Sequence, residues 1–115
     1  MISISFNFNR RFDISINNFP IFKNNCKIIF KSLKYFTFIA PDCYRMDLEV
    51  LNNIYNNIDN MPNLKSFILK CYQKNITEDF LIKFIKKILP MKLNHVELYL
   101  TKKAYDIKNF MKNIH

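Results

Sequence analysis

Three stretches of the chain share one pattern of apolar and polar positions. They are Leu33-Lys34-Tyr35-Phe36-Thr37-Phe38-Ile39-Ala40, Leu64-Lys65-Ser66-Phe67-Ile68-Leu69-Lys70-Cys71 and Leu93-Asn94-His95-Val96-Glu97-Leu98-Tyr99-Leu100. They align without gaps. Leu33, Leu64 and Leu93 open them, so the pattern recurs with a nearly constant period of about thirty residues. In each stretch the first, fourth and sixth positions are large and apolar, and the eighth is Ala40, Cys71 or Leu100. The last three of these positions alternate with period two, which predicts a strand with one face turned to a core.

Between the stretches the period changes. Phe80, Leu81, Phe84, Ile85, Ile88 and Leu89 recur as a helical stripe. Thr77 is its candidate N-cap, Glu78 and Asp79 bring negative charge to the positive end of the helix dipole, and Lys86 and Lys87 lie near the other end. Pro90 is expected to stop this helix. Leu48, Leu51, Tyr55 and Ile58 form a similar stripe after the first strand, with Asp47 as candidate cap and Met61-Pro62-Asn63 as terminator. Asp106 is a candidate cap for a last short helix over Ile107 to Ile114.

The N-terminal third carries a weaker signal. Phe6 and Phe8 precede Phe36 and Phe38 by one such period, which predicts a degenerate earlier copy of the strand. Pro20 is placed to open a helix through Cys26, Ile29 and Phe30. Phe12, Ile14 and Ile16 also alternate, so a hairpin of residues 2–8 with 12–16 around Asn9-Arg10-Arg11 is the competing arrangement.

A strand-helix unit recurring about every thirty residues implies parallel strands and stacked neighbours, since one unit cannot bury its apolar face alone. The shared Leu-x-x-apolar-x-apolar pattern resembles the leucine-rich repeat, in the longer helix-containing variety of ribonuclease-inhibitor-like and F-box-associated proteins. The resemblance covers roughly residues 33–115. It implies an α/β fold: a short leucine-rich-repeat-like solenoid of strand-helix units with a parallel sheet. The chain is then one domain over residues 1–115, with repeats of approximately 3–32, 33–63, 64–92 and 93–115. The family's asparagine or cysteine after the strand is replaced by Pro41, Tyr72 and Thr101, so the turn departs from the family pattern. A small doubly wound domain with similar strand-helix units has the same spacings. The stack also has no visible polar cap after Ile114, which leaves a fragment of a longer array, or a truncated gene product without independent function, as further expectations.

Composition narrows the function classes. Hydrophobic residues make up 50% of the 115 residues, enough to build a core rather than a disordered chain. There is no glycine. That excludes glycine-built phosphate loops, dinucleotide turns and nucleophile elbows, which need positive φ or close backbone approach. Turns are expected to use Asn, Asp and Pro instead. The net charge of +9 favours an anionic partner, but it comes mostly from scattered lysines, and the abundance of Ile, Lys and Asn also fits A/T-rich codon bias. The basic pairs Arg10-Arg11, Lys86-Lys87 and Lys102-Lys103 are the candidate nucleic-acid contacts, although only three arginines are present.

Cys26, Cys43 and Cys71 are odd in number and far apart, so no disulfide framework is expected. With His95 and His115 they show no zinc-type spacing, and no metal or cofactor is expected. Cys71 shares its position with Ala40 and Leu100 and reads as a buried thiol. The first residues, Met1 to Phe6, alternate instead of forming an apolar run, and no run approaches the ~18 apolar residues of a membrane helix. The expected compartment is the cytoplasm or nucleus. Asn75-Ile76-Thr77 matches a glycosylation sequon, but Thr77 already has a role as a cap.

In the resembled family the strands line the concave face and their outward residues make the contacts. Carried onto this chain, that gives three columns: Tyr35, Ser66, His95; then Thr37, Ile68, Glu97; then Ile39, Lys70, Tyr99. Tyrosine is enriched at interface cores because it buries much area and keeps a hydroxyl. The expected function is a non-catalytic protein-protein interaction module, with Tyr35, Thr37, Ile39, Ile68, Lys70, His95, Glu97 and Tyr99 contacting another protein. A basic nucleic-acid binder is the alternative. His95 and Glu97 lie two apart on one strand face, but no nucleophile has a neighbouring base, so catalysis is not expected.

Overall fold

The computed structural model describes residues 3–8, 12–14, 30–40, 43–72 and 76–100. Its strands are β1 (Ser3–Asn7), β2 (Phe12–Ile14), β3 (Tyr35–Ala40), β4 (Cys43–Met46), β5 (Ser66–Cys71) and β6 (His95–Tyr99). Among the described residues two complete α-helices lie between them, α1 (Leu48–Asn57) and α2 (Glu78–Ile88), each continued by a 3-10 turn, Ile58–Asn60 and Leu89–Met91. The fold is mixed α/β.

The sequence repeat becomes a four-stranded parallel sheet in the order β1-β3-β5-β6. Among the described residues the strands of this sheet follow one another in chain order with no reversal, without the topological switch point of a doubly wound sheet. Phe36 pairs with Phe67 and Phe67 with Val96, so the fourth positions of the three stretches are true register partners. The ladder starts just ahead of the strands, where the Lys65 N–H donates to the Lys34 carbonyl at 2.7 Å and the Asn94 N–H to the Lys65 carbonyl at 2.9 Å.

The expected N-terminal strand is present but offset from the expected alignment. Phe6 pairs with Phe38 instead of Phe36, and Ile4 takes the place beside Phe36, so the first strand is shifted by two positions. The hairpin alternative is not formed. β1 pairs in parallel with β3, while β2 pairs in parallel with β4 in a separate two-stranded sheet. Asp13 pairs with Arg45 and Ile14 with Met46, the same step along the chain as from Ile4 to Phe36. β4 has no counterpart among the elements read from the sequence. The helix expected from Pro20 is described only at Phe30 and Lys31, which are helical. The rest of it, and the helix expected after Asp106, lie outside the described residues.

One face of the sheet carries the core. Phe36, Phe38, Ala40, Phe67, Leu69 and Cys71 are all buried, and they join Val50, Leu51, Ile54, Leu81, Phe84, Ile85 and Ile88 from the helices in one apolar cluster. Phe36 and Phe67 stack with centroids 5.2 Å apart and planes 12° apart. The helices touch through Tyr55, whose ring meets Phe84 edge-on at 5.3 Å and lies 3.8 Å from Lys87 Nζ; Lys87 also pairs with Asp59 at 3.0 Å.

The helix ends follow the sequence signals. The Phe80 N–H donates to Thr77 Oγ1 at 3.2 Å, and the Glu49 N–H donates to Asp47 Oδ1 at 2.9 Å. Pro90 falls inside the 3-10 turn that continues α2. The stripe of α1 loses one expected member and gains two. Leu48 is exposed, and Val50 and Ile54 are buried in its place. Helix α1 therefore presents a face rotated toward Val50 and Ile54, and Leu48 sits at N1, outside the core. The tight turn before β6 is made by Lys92, at φ 52°, instead of the Asn or Asp expected in a chain lacking glycine.

Phe67→Ala is expected to destabilise the fold by about 3–5 kcal/mol, through lost burial and the cavity left against Phe36. Leu48→Ala, on an exposed position, should stay within about 0.5 kcal/mol. Urea unfolding of both variants checks this, and equal losses would contradict the one-sided core.

Candidate functional site

Among the described residues, the face of the sheet opposite the helices is open. Parallel sheets are usually covered on both sides, so an open face is the feature that needs explaining. Its residues are the outward positions of the strands, and the register sets them in rows. Ser3, Tyr35, Ser66 and His95 form one row; Ser5, Thr37, Ile68 and Glu97 the next; Asn7, Ile39, Lys70 and Tyr99 the third. The three columns read from the sequence are brought together as side-by-side register partners. The strand β1 adds Ser3, Ser5 and Asn7, which the alignment of Phe6 with Phe36 had not placed.

Tyr35 on β3 and Tyr99 on β6 are 46% and 45% exposed, in the first and the third row. Thr37, Ile39, Ile68 and Lys70 between them are half-buried. The central part is aliphatic, the β1 side is hydroxyl and amide, and the charges gather on β5 and β6.

Glu97 organises those charges. Its Oε2 lies 3.2 Å from His95 Nε2, and its Oε1 lies 3.3 Å from Lys70 Nζ. Lys70 Nζ also lies 5.3 Å from the centroid of the Tyr99 ring, its register partner. The sequence columns separated Lys70 from Glu97. The contact is diagonal, two positions along the neighbouring strand, a distance that long side chains span. The Glu97 carboxyl is held below its ordinary value of 4.5, chiefly by the hydrogen bond from His95. Desolvation acts in the opposite sense, and Lys70 lowers it further. The arrangement is an electrostatic cluster.

Other candidate chemistry lies elsewhere. Cys71 is buried beside Ala40. Among the described residues no three His, Cys, Asp or Glu side chains group closely enough to hold a metal ion. No helix among them is long and apolar enough to cross a membrane. The pair Lys86-Lys87 lies in the last turn of α2, away from the strand face; Arg10-Arg11 and Lys102-Lys103 lie outside the described residues. One feature had no sequence signal. Asn63 Nδ2 donates to the Lys31 carbonyl at 2.8 Å and ties the loop before β5 to the segment before β3. Comparison with protein-family models, curated proteins and solved structures finds no match.

A carboxyl that titrates lower folded than unfolded stabilises the fold above its unfolded value. That contribution is lost as pH falls through the folded value. For Glu97 the window lies below 4.5. His95→Ala should move the Glu97 titration up toward its ordinary value, read by carboxyl carbon NMR. An unmoved titration would remove His95 as the main cause.

Proposed function

We propose that this chain is a short leucine-rich-repeat-like array, without catalytic activity, that binds another protein through its open strand face. The observation that carries the reading is the pair of exposed tyrosines, Tyr35 and Tyr99, set around Ile39 and Ile68 on a sheet face that the helices leave uncovered. A face of this kind offers large area, hydroxyls and aliphatic centres, the mixture found in interface cores. The array reading is supported by the strand order and by a nearly constant step along one row of register partners, from Ile4 to Phe36, Phe67 and Val96. The pairing of Ile14 with Met46 continues the same step in a second ladder.

Charge distribution favours a protein over a nucleic acid as occupant of this face. Among its residues on β3, β5 and β6, the Lys70 ammonium and the Glu97 carboxylate bring opposite charges, and they are paired with each other. The excess of positive charge lies elsewhere. Phosphate binding on this face would therefore lack its usual drive.

The test is affinity capture with the native chain, with Tyr35→Ala/Tyr99→Ala, and with Lys86→Ala on the far side as control. Loss of two hot-spot tyrosines is expected to weaken capture by more than about tenfold, while the control keeps it. Undiminished capture by the folded double variant removes this face as the binding site. Capture that collapses with salt and with nuclease identifies the nucleic-acid binder instead.

A further inference from the structure

From strand to strand, the open face runs from hydroxyls and an amide to charge. Ser3, Ser5 and Asn7 lie on β1, and His95, Glu97 and Tyr99 lie on β6. Thr37, Ile39, Ser66 and Ile68 lie between them. We propose that this face pairs with the same face of a second copy of the chain, about a two-fold axis that runs along the strands between β3 and β5. The proposal rests on the reading of the face as a protein-binding surface and names its partner.

The symmetry follows from the strand order. A face that binds itself must be complementary to its own image under a two-fold axis. With the axis along the strands, β1 lies over β6 of the second copy, β3 lies over β5, and each row meets its own row. The hydroxyls and amide of β1 then face His95, Glu97 and Tyr99, groups with which they can exchange hydrogen bonds. Thr37 faces Ile68 at the centre. With the axis across the strands, each strand lies over its own copy, and the middle row sets Glu97 against Glu97 of the second copy. Two carboxylates brought together out of water are strongly unfavourable, so the axis along the strands is selected.

Charge also favours a second copy here. The chain carries +9, so two copies repel wherever their lysines meet. On this face Lys70 and Glu97 lie 3.3 Å apart and cancel. A parallel sheet is ordinarily covered on both faces, and the second copy supplies the missing layer. Sheets packed face to face lie about 10 Å apart with strands within about 30° of each other, so Thr37 and Ile68 meet most closely. Four strands about 4.8 Å apart, with five residues rising about 3.3 Å each, give a flat footprint of roughly 300 Å². A standard interface buries about 800 Å² on each partner, so this pair is weak and concentration-dependent.

Sedimentation equilibrium of the full chain from about 10 µM to about 1 mM tests it. The mass should rise from 13.9 kDa toward twice that value without exceeding it. Over the same range, amide NMR shifts should move at Thr37, Ile68 and Tyr99 and stay still at Lys86. Thr37→Lys and Ile68→Glu should each weaken pairing by more than about tenfold, since each buries an unpaired charge. An equimolar mixture of the two variants should pair again, because the introduced charges then face each other. A mass that stays at 13.9 kDa, or grows beyond twice that value, overturns the proposal. So do shift changes confined to the helix side, or a mixture that stays dissociated while the native chain pairs. A constant single-chain mass overturns the second copy alone; capture with Tyr35→Ala/Tyr99→Ala still decides whether the face binds a different protein.

Discussion

The Phe36 and Phe67 rings lie on neighbouring parallel strands, stacked 5.2 Å apart at the same register step. Each sits over the helix layer and neither is exposed. This contact expresses the constraint on which the whole molecule depends. Between β3 and β5, and again between β5 and β6, the described chain leaves a strand, packs a helix against one face of the sheet, and returns one ladder step further on. Strands about 4.8 Å apart put equivalent side chains in stacking range, so an aromatic at one position favours an aromatic at the next. The helices follow from the same constraint. They cover the face that holds Phe36, Phe38, Phe67 and Leu69, and among the described residues the other face is open.

From that asymmetry comes the candidate site. A residue at an odd step of the strand cannot reach the core, so Tyr35, Ile68 and Glu97 face outward for the same reason that Phe36, Phe67 and Leu69 face inward. The edges show the limits of the core. Val96 is the register partner of Phe67, yet it is 43% exposed, since β6 ends the described sheet. Among the described residues, the buried polar side chain is Asn57. It donates to the Asn53 carbonyl at 2.8 Å and accepts from Asn60 at 3.1 Å, which satisfies an amide placed against the core.

Much of this was legible in the sequence, because period-two strands and helical stripes are local patterns whose phase fixes what each residue faces. The three strand columns, the caps at Asp47 and Thr77 and the burial of Cys71 all rest on such patterns. What escaped has a common cause. The shift of β1 depends on a chain length between strands that Phe6 and Phe8 alone do not fix. Pairing of β2 with β4 is a long-range choice between a hairpin and a parallel ladder, with nothing local to decide it. Leu48 occupies the first turn of α1, where helical phase is compatible with burial but the approach to the sheet is not. Lys92 takes a left-handed turn that its residue type does not announce. The Lys70–Glu97 contact depends on side-chain length and rotamer, which no column of positions carries.

The most direct measurement is of cross-strand proximity in solution. Backbone NOE contacts between Phe36 and Phe67, and between Phe67 and Val96, resolve both adjacency and direction in a 13.9 kDa chain. Parallel, in-register contacts through Phe36, Phe67 and Val96 are required, with Ile4 beside Phe36. Antiparallel contacts, or a foreign strand between any of these residues, would contradict the shared core and the open face that follows from it.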